Sequence, residues 1–316
     1  MNIYRVIRFS SFIVASALMS TAMTSCFTGI ENTKKIELTR QDKRQLTLSP
    51  EEIFLKDLEG HPLKDWQPGD PYLIADPRIA LILESDGLMS PEDTSLVGRH
   101  LSFVGVDTRL RPDRSEECLI LLSDSIRTYR FPTGMDPAKA DTAMVSTKLP
   151  MLIDLQTVSE VNSRMKGREL WTRSQLWYDS NGEKVNGRKF APVRVTAIAP
   201  GSQLFPIKVF FTDENGAEAM MWMNYTSSTS DSRRFPVLFS LTDRRKDYPD
   251  ISDEHWRLIQ NGEVTKGMTK LECRLSLGNP TDVAAGHTHS ETLDVWQYSD
   301  GVYLRFADGL LVDFRR

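Results

Sequence analysis

Residues 292–316 read TLDVWQYSDGVYLRFADGLLVDFRR. Apolar and polar positions alternate with a period of two over 292–298, 302–306 and 310–314, the period at which one strand face meets a core. Asp300-Gly301 and Asp308-Gly309 separate the runs, and such pairs suit tight hairpins because glycine accepts positive φ. The spacing predicts a three-stranded antiparallel meander. Upstream, Gly278 and Pro280 stop a helix that Thr269 opens. In Thr269-Lys270-Leu271-Glu272 the threonine hydroxyl can accept from the Glu272 amide while the glutamate reaches back to the cap, and Leu271 and Leu275 are expected on one face. Ser252, followed by Asp253 and Glu254, caps an earlier helix carrying Trp256, Ile259 and Gln260, which Gly262 closes. The predicted order over 248–316 is helix, helix, strand, strand, strand.

The chain upstream is β-rich. Ser49-Pro50-Glu51-Glu52 starts a short helix, expected to reach about Leu58. Residues 72–84 and 101–131 show apolar runs broken by Pro, Gly and Asp, among them the buried-strand reading ECLILL at 117–122. A second stretch, 169–241, holds strands at 191–198 and 206–212 and turns at Asn181-Gly182 and Asn215-Gly216. Each half opens on a similar pentapeptide, VGRHL at 97–101 and KGREL at 166–170. That recurrence raises the expectation of two small barrels of the bacterial SH3-like kind, at 49–134 and 165–247, joined by a linker at 135–164. The fold class expected is α+β, mostly β: β-rich middle modules, then a C-terminal ααβββ domain.

The C-terminal region resembles the SmpA/OmlA family, also called BamE. The residues that carry the likeness are Gly262, Gly267-Met268-Thr269, Leu277-Gly278 with Pro280, Trp296 with Tyr298, and Phe306 with Asp308-Gly309. The resemblance implies a small outer-membrane lipoprotein fold of the kind that supports the β-barrel assembly machinery. Secreted β-lactamase inhibitor proteins share that fold, and fold alone does not give function. These residues are caps, turns and core, so the likeness implies fold and not a binding surface.

The N-terminus adds a location. Arg5 and Arg8 precede an apolar stretch at 9–23, which is shorter than the roughly 20 residues that span a bilayer. It ends in MTSC at 23–26, which resembles a lipobox. Residues 1–25 are therefore expected as a lipoprotein signal peptide, Cys26 as the lipidation site and 26–48 as a tether. Acyl chains at Cys26 would hold the chain on the membrane, since each buried methylene contributes about 0.8 kcal/mol. Phe27 stands where an aspartate would resemble an inner-membrane retention signal, so the expectation is the outer membrane, and the lack of an acidic cluster just after Cys26 favours its periplasmic side. Net charge is −4, and no basic run or stripe offers a nucleic-acid surface.

Candidate chemistry is sparse. His287 and His289 could share a metal with Glu291 or Asp294, but no further ligand commits to a fixed geometry, and a solvated loop at 284–290 is the expectation. His61, His100 and His255 stand alone, without a nucleophile motif. Glu51-Glu52 and Glu116-Glu117 read as a helix start and a solvated face. Cys118 and Cys273 read as two buried thiols, although an oxidising compartment would permit a bridge. The methionine and tryptophan run at 220–223 reads first as core; with part of it exposed, Met221, Trp222 and Met223 would suit an adaptable protein-binding surface. No catalytic residue, metal or cofactor is expected. The function expected is a non-enzymatic scaffold or accessory subunit of an envelope machine, with protein partners and the membrane. Two other classes stay open: a peptidoglycan- or carbohydrate-binding lipoprotein, and an inhibitor of a secreted enzyme or a hydrolase.

Overall fold

The computed structural model describes residues 48–85, 96–225, 231–287 and 292–315. The signal peptide, Cys26, nearly all of the tether, His289 and Glu291 lie outside them. Residues Ser49–Arg316 fall in one compact unit, with mixed α and β structure, mostly β, in antiparallel sheets.

Helix α1, Pro50–Phe54, starts as expected: Ser49 Oγ accepts from the Glu52 amide and Glu52 returns to the Ser49 amide at 2.9 Å. It ends one turn short of the expected Leu58. The first sheet comprises β1 (Pro71–Ile74), β2 (Glu84–Ser85), β3 (His100–Leu110), β4 (Glu116–Ser123), β5 (Thr128–Pro132) and β6 (Leu152–Asp154), in the order β2-β5-β4-β3-β1-β6. Strand β4 pairs with β3 and β5, and its residues 117–120 and Leu122 are buried, so both of its faces are covered over that stretch. Cys118, Ile120 and Leu122 enter a core with Trp66, Tyr72, Leu101, Phe103 and Phe131. Trp66 meets Tyr72 and Phe103 at ring distances of 5.5 and 5.3 Å.

The second sheet comprises β7 (Glu169–Thr172), β8 (Leu176–Tyr178), β9 (Lys184–Asn186), β10 (Pro192–Pro200), β11 (Ile207–Asp213), β12 (Glu218–Met223) and β13 (Phe239–Ser240), ordered β13-β7-β10-β11-β12-β8-β9. The Asn-Gly pairs turn the β8–β9 and β11–β12 hairpins, where the Asp179 and Asp213 carboxylates collect loop amides. Residues 135–164, read from sequence as a linker, hold α2 (Pro137–Ala143), β6 and α3 (Leu155–Met165). Val158, Val161 and Met165 of α3 sit in the core of the second sheet, while β6 completes the first. The connection is therefore built into both layers.

The paired pentapeptides adopt one local geometry. The Gly98 amide donates to Ile74 and the Ile74 amide to Arg99; the Gly167 amide donates to Val195 and the Val195 amide to Arg168. Both glycines have φ near +80°, at +83° and +80°, where a Cβ is strained. The likeness stops at the turn: one motif enters β3, the second strand of the run β1-β3-β4-β5, and the other enters β7, the first strand of β7-β10-β11-β12.

The C-terminal region holds α4 (Phe235–Leu238) before β13, then α5 (Asp253–Gln260), α6 (Lys270–Leu277), β14 (Asp282–His287), β15 (Thr292–Gln297), β16 (Tyr303–Ala307) and β17 (Leu310–Arg315). The meander has four strands, not three, in the order β14-β15-β16-β17. The backbone of 282–287, expected as a loop from 284 onward, pairs residue for residue with β15. Side chains in Ala-Ala-Gly cannot mark a strand, since its pairing uses backbone alone. Leu271 is 48% exposed and does not share a buried face with Leu275; Cys273 and Ser276 face the core instead.

Candidate binding cleft

Of the residues that carry the SmpA/OmlA resemblance, Met268, Trp296 and Phe306 are buried in one small core, with Leu277 and Tyr298 packed against it, while Gly267, Thr269 and Asp308 are exposed. Thr269 Oγ1 accepts from the Glu272 amide and the Glu272 carboxylate accepts from the Thr269 amide at 2.6 Å, completing the capping box. The Gly267 amide donates to Leu311, and the Leu311 amide returns to Met268, so the turn before α6 covers the β17 edge. Trp296 lies 4.8 Å from the Phe306 ring with the Arg274 guanidinium 5.1 Å over it. The Tyr298 hydroxyl donates to the carbonyl of Gly278, and burial pushes that phenol up to about 12. Asp308 and Gly309 turn between β16 and β17 with positive φ, and Pro280 follows the end of α6.

Met221 and Met223 are fully buried in the second core and are not an adaptable surface. Both point to the face that α3 covers. Trp222 lies on the opposite face, part exposed, with Lys208 Nζ 4.9 Å over its ring. His255 is not alone: Nδ1 lies 2.7 Å from Glu272 Oε1. Burial pushes that carboxyl up, but the Thr269 amide, the His255 ring and the Thr269 hydroxyl outweigh it and hold it below the usual glutamate range. The pair therefore braces α5 against the α6 cap. Glu117 is buried between Arg109 at 2.9 Å and Arg111 at 3.5 Å, a structural ion group in place of the solvated face expected. Cys118 and Cys273 are free, buried and in different cores. Among the described residues no group of His, Cys, Asp and Glu is placed to hold a metal, and no helix is long and apolar enough to cross a membrane.

The concave feature that sequence reasoning missed lies where the second sheet meets α5. Gly187 sits so close to Trp177 that a Cβ would lie 2.5 Å from its ring, which presses the β9–β10 connection onto the sheet. Thr172 Oγ1 then donates to the Arg188 carbonyl at 2.6 Å, and the Lys189 amide donates to the Gln260 carbonyl at 2.8 Å. Phe190 is held at φ +54°, unusual for an aromatic residue, with its ring 5.3 Å from Trp256. Gln175 Nε2 also donates to Gln260. These contacts join the C-terminal region to the second sheet.

Beside this junction opens a cleft of about 900 Å³. Its charged lining is Arg173, Lys184, Arg188, Lys189 and Glu263. Arg188 is neutralised by Asp213 at 2.9 Å and Glu214 at 2.8 Å. Lys189 donates to the Ser276 carbonyl, and burial pushes its ammonium down. Arg173 stays open to solvent at the cleft while its walls strip much of the surrounding water; that burial, with repulsion from Arg244, lowers its guanidinium against the pull of Glu51. It donates to the Pro236 carbonyl at 2.6 Å. A second cleft, of about 610 Å³, opens between the first and second sheets, where Glu59, Lys148, Gln203, Asn224 and Tyr225 are among its walls.

No protein-family model, curated protein or solved structure matches the chain. What fold and site define is a class: a mostly β α+β protein with three antiparallel sheets among the described residues and a basic cleft where the second sheet meets the end of α5.

Proposed function

We propose that this chain is a lipoprotein of the outer membrane, anchored through acyl chains on Cys26 and facing the periplasm, that acts without catalysis as a scaffold or accessory subunit of an envelope machine. The machine implied by the SmpA/OmlA resemblance is the one that assembles outer-membrane β-barrels. The observation that carries this reading is the junction at Lys189, Phe190, Trp256 and Gln260, which holds a small capped domain firmly against the second sheet and leaves a concave surface beside it. Rigid concave seams between packed elements are where binding sites concentrate. The His255–Glu272 pair braces two helices and lines neither cleft, so it lends no support to a hydrolase. Co-purification from gently solubilised membranes is expected to recover barrel-assembly subunits with the chain; repeated recovery of none contradicts the proposal.

The cell-wall reading draws on the second cleft, whose amide and carboxylate lining suits sugar hydroxyls. Its tyrosine is only 9% exposed, and the hydroxyl donates to the Thr147 carbonyl at 2.9 Å, which leaves no open ring there for a sugar to stack on. Retention on purified peptidoglycan would favour that reading.

A further inference from the structure

We propose that the cleft at Arg173 and Lys184 binds an acidic, extended peptide segment of a partner protein; this rests on the scaffold reading above and names its ligand chemistry. The sign of the cleft runs against the sign of the chain. The whole sequence carries −4, with 43 acids and 39 lysines and arginines, yet four cations and one carboxylate line this cleft. Three of those cations already have partners: Arg188 pairs with Asp213 and Glu214, Lys189 donates to the Ser276 carbonyl, and one guanidinium nitrogen of Arg173 donates to the Pro236 carbonyl, which leaves the charge of Arg173 unmatched. Arg173 and Lys184 make no ion pair with any carboxylate among the described residues. A guanidinium at the end of β7, with a second cation on β9, is matched by carboxylates spaced along a chain.

The rest of the lining suits a peptide. Leu176 and Val237, each 37% exposed, offer apolar contact between the cations. Gln175, Asn186 and Asn261 add amides able to donate and accept. All three residues of β9 line the cleft, and among the described residues β9 ends its sheet, pairing only with β8. The backbone groups on its free side have no strand partner among the described residues, and an extended peptide is the ligand shape that addresses such groups.

The test is fluorescence anisotropy on the full chain in detergent micelles, with a labelled peptide alternating glutamate and valine as probe. Saturable binding is expected, weakening as salt is raised. Lys184→Glu and Arg173→Glu should each weaken it on the order of tenfold, because each turns an attraction into a repulsion. Lys184 makes no side-chain hydrogen bond or ion pair among the described residues, so its variant separates ligand binding from folding. Arg305→Glu, on an exposed position of β16, should bind as the parent does. Unchanged binding by Lys184→Glu, or equal binding of a peptide with lysine in place of glutamate, overturns the proposal. So does displacement by dextran sulfate at far lower concentration than by unlabelled peptide, which would make the site one for anionic polysaccharide. Should the peptide fail while barrel-assembly subunits still co-purify, the inference falls and the scaffold reading stands; binding as expected with no envelope partner recovered gives the reverse.

Discussion

Thr269 and Glu272 show how much three residues of spacing can specify. The hydroxyl and carboxylate satisfy each other's backbone amides, so α6 begins with two of its orphan donors met. Thr269→Ala is expected to lower the unfolding free energy by about 1 kcal/mol, read as a drop in thermal midpoint. Glu272 also gives the protein an acid limit. Its carboxyl titrates lower in the folded chain than the ordinary 4.5. A depressed carboxylate stabilises the fold above its unfolded value, and that contribution is lost as pH falls through the folded value. Denaturant unfolding of the parent should therefore weaken below about pH 4.5. In Glu272→Gln, which cannot titrate, the loss between pH 5 and pH 3 should be smaller; an identical loss would contradict the role given to this carboxylate. The cap was legible in the sequence because both partners are local. His255 was not legible as the third member, since only the packing of α5 on α6 brings it to a residue so far along the chain.

At the scale of elements, turns carried the most information. Asn-Gly and Asp-Gly placed four hairpins, because glycine takes a backbone conformation that other residues avoid. Gly98 and Gly167 both open strands at positive φ with no atom within 4 Å of a would-be Cβ, so an added methyl meets strain and not a clash. Gly167→Ala should cost about 1–2 kcal/mol in equilibrium unfolding without loss of the folded state. A change near zero would mean the turn relaxes. Elements whose residues do not announce their partners stayed hidden. Strand β14 is one, with Ala-Ala-Gly at its centre and a place at the sheet edge. The stretch 135–164 is another: its alanines, lysines and polar residues suggest a connector, yet Asp154 caps α3 and Ile153, Val158 and Val161 fill the second core.

At the scale of the molecule, the seam between the second sheet and α5 is what turns adjacent folds into one surface. Phe190 is its hinge point, held at positive φ with its ring on Trp256. Phe190→Ala removes that ring contact and should cost about 2 kcal/mol, less than the roughly 3–5 kcal/mol of truncating a fully buried phenylalanine, because this side chain is only half buried. Hydrogen exchange should then quicken in α5 and in 187–191 while the first sheet keeps its protection. Unchanged exchange in α5 would mean the junction carries little. The helix that carries Trp256 and Gln260 was legible from its cap, but the seam was not: Arg173, Lys184, Lys189, Gln260 and Glu263 form no motif and meet only through the fold. The scaffold account is tested most directly by crosslinking mass spectrometry on intact outer membranes, following peptides from 252–316 and from 173–190 separately. The account predicts links from both regions to barrel-assembly proteins; links confined to cell wall or to other lipoproteins, with none to that machinery, would contradict it.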